Sequence, residues 1–95
     1  MNEIKISKER YENLLAVTRW YKSMPKIDDF YAGDRFHERM FDFQMSCIPE
    51  DAINFDKFYV INFEIKDGVV CALIGDQESG RETSEVMKFV PENSN

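Results

Sequence analysis

The sequence predicts an α+β domain in which one N-terminal helix packs on a four-stranded antiparallel meander, in the order α-β-β-β-β. Three observations indicate this fold. An early stretch has apolar residues at spacings of three and four, the period of an amphipathic helix. Segments of alternating or β-rich composition follow it, and an Asp67-Gly68 pair separates two of them. We expect a single domain over residues 1–90 and a solvated C-terminal tail over residues 91–95.

The helix is predicted over residues 8–24. Ser7 is a suitable N-cap, and Pro25 follows as a stop signal. The apolar stripe at helical spacing consists of Tyr11, Leu14, Leu15, Thr18 and Tyr21. We therefore expect this face of the helix to pack against the sheet.

Residues 41–47 alternate between apolar and polar side chains, which predicts a half-buried strand beginning near Met40. Pro49 then interrupts the pattern. A competing interpretation is a helix that begins at Asp34 and continues through this stretch, with one apolar face formed by Phe36, Met40 and Phe43. The strand is the interpretation adopted for the predicted meander.

Residues 57–75 read as a β-hairpin, because an Asp-Gly pair supplies the two positive φ angles of a type I′ turn. Lys66 and Val69 would flank the turn. The predicted pairs on the core face are then Ile65 with Val70, Phe63 with Ala72, and Ile61 with Ile74. A polar loop over residues 76–84 and a short final strand over residues 85–90 complete the meander.

The composition limits the classes of function. The chain is 43% hydrophobic, which predicts a folded protein, and its net charge of -6 disfavours direct binding to nucleic acid or to an anionic membrane. No signal-peptide pattern is present at the N-terminus. Cys47 and Cys71 stand singly in apolar stretches, as reduced core thiols do, so the expected location is the cytoplasm.

The charge is unevenly distributed along the chain. Residues 1–26 contain six basic and three acidic side chains (+3), whereas residues 27–95 contain six basic and fifteen acidic ones (-9). One interpretation is a solvated acidic surface that keeps a small protein soluble. The other is mimicry of nucleic acid, in which carboxylates on a rigid scaffold occupy the cationic groove of a nucleic-acid-handling protein.

Residue patterns that would carry catalysis are weak. His37 is the single histidine, and it lies near Asp34, Glu38 and Asp42, which would share one side of a helix. The chain has no HExxH motif, paired CxxC motif or glycine-rich phosphate loop. We therefore predict no catalytic residues, no metal site and no cofactor, and a non-enzymatic protein.

An aromatic and charged segment is the strongest candidate for a partner-binding surface. Large aromatic side chains beside charges are typical of interface hot spots. The residues predicted to contact a partner are Trp20, Tyr21, Asp28, Asp29, Phe30, Tyr31, Asp34 and Glu38. The alternative is that Phe30, Tyr31 and Phe36 close an open edge of the core.

Two functions remain. The first is a non-catalytic binding protein that docks on a larger macromolecule and blocks it. In size and charge the chain is similar to small acidic inhibitors and immunity proteins of phages and other mobile elements, and the resemblance extends to no motif. The second is a small-molecule-binding domain acting as a homodimer, with the polar face of the hairpin and His37 at the ligand.

Overall fold

The computed structural model of the protein describes residues 2–24 and 30–92. The fold is α+β, with two helices and four strands. In chain order the elements are β1 (Asn2–Ile6), α1 (Lys8–Ser23), α2 (Phe30–Ser46), β2 (Phe58–Lys66), β3 (Val69–Asp76) and β4 (Glu82–Pro91). The α+β class is confirmed, while the arrangement of one helix on an antiparallel meander is corrected at two places.

The first correction concerns the sheet, which is mixed. Its strand order is β1-β4-β3-β2, and β1 runs parallel to β4, whereas the other two pairs are antiparallel. The N-terminal strand follows from simple alternation, since Ile4 and Ile6 are buried while Glu3 and Lys5 are exposed. A β1 strand at one edge of the sheet was not predicted.

The second correction concerns residues 41–47, which belong to helix α2 and not to a strand. The competing interpretation is confirmed for the helix, whereas its start at Asp34 and its placement of Phe43 on the apolar face are wrong. The strand prediction put Phe43 on the core side and Gln44 on the solvent side. The structure shows the reverse, with Phe43 52% exposed and Gln44 2% exposed. The helix instead turns Phe41 and Gln44 inward, three residues apart, with Phe41 half-buried and Gln44 buried.

Helix α1 and its cap agree with the prediction. The backbone N–H of Arg10 donates a hydrogen bond of 3.2 Å to the Ser7 hydroxyl oxygen, and the helix ends at Ser23. Leu14 is buried in the core with residues of the sheet, and Thr18 is buried where α1 contacts Gln44 of α2.

The hairpin forms at the predicted turn, where φ is 52° at Asp67 and 76° at Gly68. The predicted pairs Ile65 with Val70 and Phe63 with Ala72 are present. A register shift lies between Val60 and Asn62, so Ile74 pairs with Val60 instead of with Ile61. This irregularity leaves Ile61 37% exposed, and its predicted place in the core is wrong.

The core lies between the helices and one face of the sheet, with Phe89, Ile6, Leu14, Ile74 and Val70 among its most buried side chains. The final strand is longer than predicted. The connection before it spans residues 77–81, and Glu92 donates a backbone hydrogen bond of 2.8 Å to Ile6. On the opposite face of the sheet, one row across the strands contains Glu3, Lys88, Cys71 and Glu64.

Candidate functional site

Among the predicted partner-binding residues that the structure describes, most lie near the end of α1 or in the first turns of α2, and Glu38 lies in the middle of α2. Asp28 and Asp29 lie outside the described residues. Phe30, Tyr31 and Asp34 belong to the first turns of α2, and the structure describes their helical backbone without their side chains. Trp20 and Tyr21 are in the last turns of α1, and Glu38 is exposed on α2.

Trp20 and Tyr21 are joined by Phe36, which sequence reasoning placed outside the binding set. The ring centroids of Trp20 and Phe36 are 6.1 Å apart, those of Tyr21 and Phe36 are 5.9 Å apart, and both pairs are edge-to-face. Trp20 remains 51% exposed despite this contact. At this end of the helix pair, Trp20 therefore packs against Phe36 and still has about half of its surface exposed to solvent.

A groove lies beside this aromatic end, between the two helices and β2. Its volume is about 470 Å³. We call it the edge groove. It is lined by Tyr21, Lys22, His37, Glu38, Phe41, Gln44, Ile61, Asn62 and Phe63. Tyr21 and Glu38 are the two predicted partner-binding residues that line it, and His37 was predicted for the small-molecule site of the second hypothesis.

Tyr21 and His37 are two of the residues that line the edge groove. The Tyr21 hydroxyl forms a hydrogen bond with His37 Nδ1, and the two rings are 5.4 Å apart. Burial raises the pKa of Tyr21, so this side chain keeps its proton as a neutral phenol. The bond connects α1 to α2 beside the groove.

Aromatic and polar contacts of three lining residues, Phe41, Gln44 and Phe63, join the elements around the groove. The rings of Phe41 and Phe63 are 6.0 Å apart, which brings α2 against β2. Gln44 Nε2 donates a hydrogen bond of 3.1 Å to Thr18 Oγ1, and both side chains are buried. These contacts connect α2 to β2 and to α1 beside the groove.

The lining of the groove includes one basic and one acidic side chain. Lys22 and Glu38 line the groove, and Asp42 is exposed one helical turn after Glu38. Asp34, Glu38 and Asp42 are four residues apart in the sequence. Because residues 30–46 are helical, these positions share one side of α2, as the competing interpretation implied. Among the residues that the structure describes, no group of three or more His, Cys, Asp or Glu side chains is arranged to hold a metal ion.

Neither cysteine lines the edge groove with His37. Cys47 lies at a separate depression beside Arg10 and Phe43. Burial raises the pKa of Cys47, and the nearby Arg10 opposes this shift only in part. Burial likewise raises the pKa of Cys71, which disfavours the nucleophilic thiolate at both positions.

The groove could not have been found while residues 41–47 were assigned to a strand, because Phe41 and Gln44 reach it from α2. The helical spacing of Phe36, Met40 and Phe43 indicated the helix, but it did not identify Phe41 and Gln44 as the residues that line the groove.

Comparisons with protein-family models, with curated proteins and with solved structures found no match. Within residues 2–24 and 30–92, no helix is both long enough and apolar enough to cross a membrane.

Proposed function

We propose that the protein is a non-catalytic binding domain that docks on a larger macromolecule and blocks it, in the manner of phage inhibitors and immunity proteins. The observation that carries this proposal is the exposure of Trp20, which is 51% accessible although Phe36 packs against its ring. Tryptophan contributes strongly at interfaces when it is held in place and then buried by a partner. The adjoining edge groove offers a concave surface beside this anchor.

Acidic side chains would steer the partner to this surface. Glu38 and Asp42 are exposed one turn apart on α2, and the whole chain carries a net charge of -6. A nucleic-acid-handling protein with a basic groove is the partner class that such a surface fits, and blocking would then involve mimicry of phosphates. Lys22 lines the same groove, and its positive charge reduces the resemblance of this surface to a row of phosphates. In the proposed mechanism the aromatic contact therefore contributes more to binding than charge does.

A second candidate function is a small-molecule-binding domain acting as a homodimer. The supporting observation is the volume of the edge groove, about 470 Å³, which lies within the range of ligand pockets. His37 and Asn62 line it together with apolar residues. A ligand screened by thermal shift would raise the melting temperature in the absence of any protein partner.

The binding proposal is tested with two matched aromatic substitutions. Trp20→Ser and Phe43→Ser remove side chains of nearly equal exposure, 51% and 52%, at different places on the helix pair. Each variant is used to capture partners from a native lysate at low and raised salt, and the retained proteins are quantified by mass spectrometry. We expect Trp20→Ser to retain at least tenfold less of the specific partner than the unchanged protein retains. Phe43→Ser should retain as much of it as the unchanged protein.

Circular dichroism and the melting temperature verify that both variants fold. Equal retention of the partner by the two folded variants would contradict docking through Trp20.

A further inference from the structure

Within residues 2–24 and 30–92, one face of the sheet is covered by neither helix. Leu14 of α1 belongs to the buried core cluster, and the Phe41 ring of α2 contacts the Phe63 ring of β2. Both helices therefore pack on the face that carries Phe63. The opposite face, which we call the outer face, carries the side chains that alternate with the core residues along each strand.

The outer face is largely apolar along the two central strands, β3 and β4. Its apolar side chains on these strands include Val69, Cys71, Leu73, Val86 and Val90. Cys71 is 5% exposed, and the four aliphatic side chains are half-buried. The core-facing residues of β3 are apolar as well, so this strand is an almost continuous apolar run. Such a run is typical of a strand that is covered on both faces.

Charged side chains of the outer face lie on the two edge strands, as they do at the polar rim of an interface. β1 carries Glu3 and Lys5, and β2 carries Glu64 and Lys66. These two strands run in the same direction, because β1 is parallel to β4 and two antiparallel pairings separate β4 from β2. Glu3 and Glu64 share one row across the sheet. Two residues later on each strand, Lys5 and Lys66 share the next row.

This arrangement of charges is complementary to itself. A two-fold axis that lies parallel to the sheet and crosses the strands between the two rows places the outer face of a second copy against the first. Glu3 then lies opposite Lys5 of the other copy, and Glu64 lies opposite Lys66 of the other copy. Two sheets packed face to face are about 10 Å apart and cross at about 30°, a geometry that long lysine side chains can bridge.

Net charge favours a second copy as the occupant of this face. The whole chain carries -6, so two copies repel each other through most of their surface. In the two rows of the outer face, however, basic and acidic side chains nearly balance, and they are Lys5, Lys66 and Lys88 with Glu3 and Glu64. A strongly basic partner would meet more acidic surface elsewhere on the chain, and a strongly acidic partner would be repelled by its net charge.

We infer that the outer face binds a second copy of this chain across a two-fold axis, with Glu3 and Glu64 of each copy paired to Lys5 and Lys66 of the other. The apolar side chains of β3 and β4 are then buried between the two sheets. The inference does not depend on the proposed function, because Trp20 belongs to α1 on the other side of the sheet.

The test measures association of the purified protein by sedimentation equilibrium. We expect the unchanged protein to show a monomer–dimer equilibrium at concentrations up to about 1 mM. Glu3→Lys with Glu64→Lys makes the edge positions of both rows basic, whereas Lys5→Glu with Lys66→Glu makes them acidic. Each variant by itself should dimerise at least tenfold more weakly than the unchanged protein, because like charges then face each other across the axis.

An equal mixture of the basic and the acidic variant is the decisive sample. Across the same axis each Lys of one chain faces a Glu of the other, so the mixture should dimerise again, and raised salt should weaken the mixed dimer. A variant that has merely lost its fold cannot be restored by mixing, and circular dichroism of each variant verifies folding independently.

The control variant is Glu12→Lys with Asp42→Lys, at exposed positions of the two helices. It changes the net charge by as much as Glu3→Lys with Glu64→Lys does, and it should leave dimerisation unchanged or strengthen it. A protein that stays monomeric up to about 1 mM would overturn the inference. A mixture that stays monomeric while the unchanged protein dimerises, or an equal loss in the control variant, would overturn it as well.

Discussion

Gln44 donates a hydrogen bond of 3.1 Å to Thr18, and this bond joins two polar side chains that are 2% and 0% exposed in the contact between α2 and α1. A buried amide without a partner loses the hydrogen bonds that water would have supplied. Thr18→Val keeps the shape of the side chain and removes the hydroxyl. We expect it to lower the free energy of unfolding by about 1–3 kcal/mol in urea denaturation.

A double-mutant cycle separates the hydrogen bond from packing. Thr18→Val combined with Gln44→Leu should cost less than the sum of the two single variants, because neither polar group is then left unpaired. Additive costs would show that the bond itself contributes nothing to the helix contact.

The irregularity in β2 predicts opposite results for two neighbouring positions. Ile61 is 37% exposed and Phe63 is 2% exposed. Ile61→Asp should fold with a loss of less than about 1 kcal/mol, as surface substitutions generally do, whereas Phe63→Asp buries an unpaired carboxylate and should prevent folding. Circular dichroism and thermal melting distinguish the two cases. If Ile61→Asp unfolded the protein, the register shift at this position would be wrong.

Gly75 faces the ring of Tyr59 across the β2–β3 pair, and a β-carbon at this position would overlap that ring. The Tyr59 hydroxyl also donates a hydrogen bond of 2.9 Å to the Gly80 carbonyl. Gly75→Ala should therefore displace the ring and lower the free energy of unfolding by about 1–3 kcal/mol, measured in urea.

Tyr59→Ala provides the control for that prediction. In the Tyr59→Ala protein no ring occupies the place of the added β-carbon. Adding Gly75→Ala to that protein should therefore leave the free energy of unfolding unchanged or slightly raise it. A similar cost in both backgrounds would exclude the ring as the cause.

Alkaline pH should destabilise the protein through its buried thiols. Burial raises the pKa of Cys47 and of Cys71 in the folded state, so their contribution to stability is complete below the ordinary thiol pKa. It is lost as pH rises above about 8.5, where the unfolded chain releases the protons first. Tyr21 shifts in the same direction and adds to the loss near its own higher range.

Urea denaturation at pH 7.5 and 9.5, in a reducing buffer, measures this effect. The free energy of unfolding should fall less between the two pH values in a protein with both Cys47→Ala and Cys71→Ala than in the unchanged protein. An unchanged decline would assign the alkaline sensitivity to other groups.

Local signals in the sequence were sufficient for several elements. Ser7 caps α1 because its hydroxyl reaches the Arg10 amide within one turn, and the Asp67-Gly68 turn sets the hairpin register because the pairing residues are adjacent to it. The final strand was likewise recognised from its own alternation. In each case the interactions that specify the element lie within a few residues of it.

Tertiary structure decided the remainder. Alternation over residues 41–47 is compatible with strand and helix alike, and the burial of Gln44 against Thr18, 26 residues earlier, selects the helix. Strand β1 requires a parallel partner that begins at Glu82, and the exposure of Ile61 depends on a register shift that no turn residue announces. The edge groove combines α1, α2 and β2, so it exists only after contacts distant in sequence have formed, and patterns of period two or 3.6 within a single segment carry no information about such contacts.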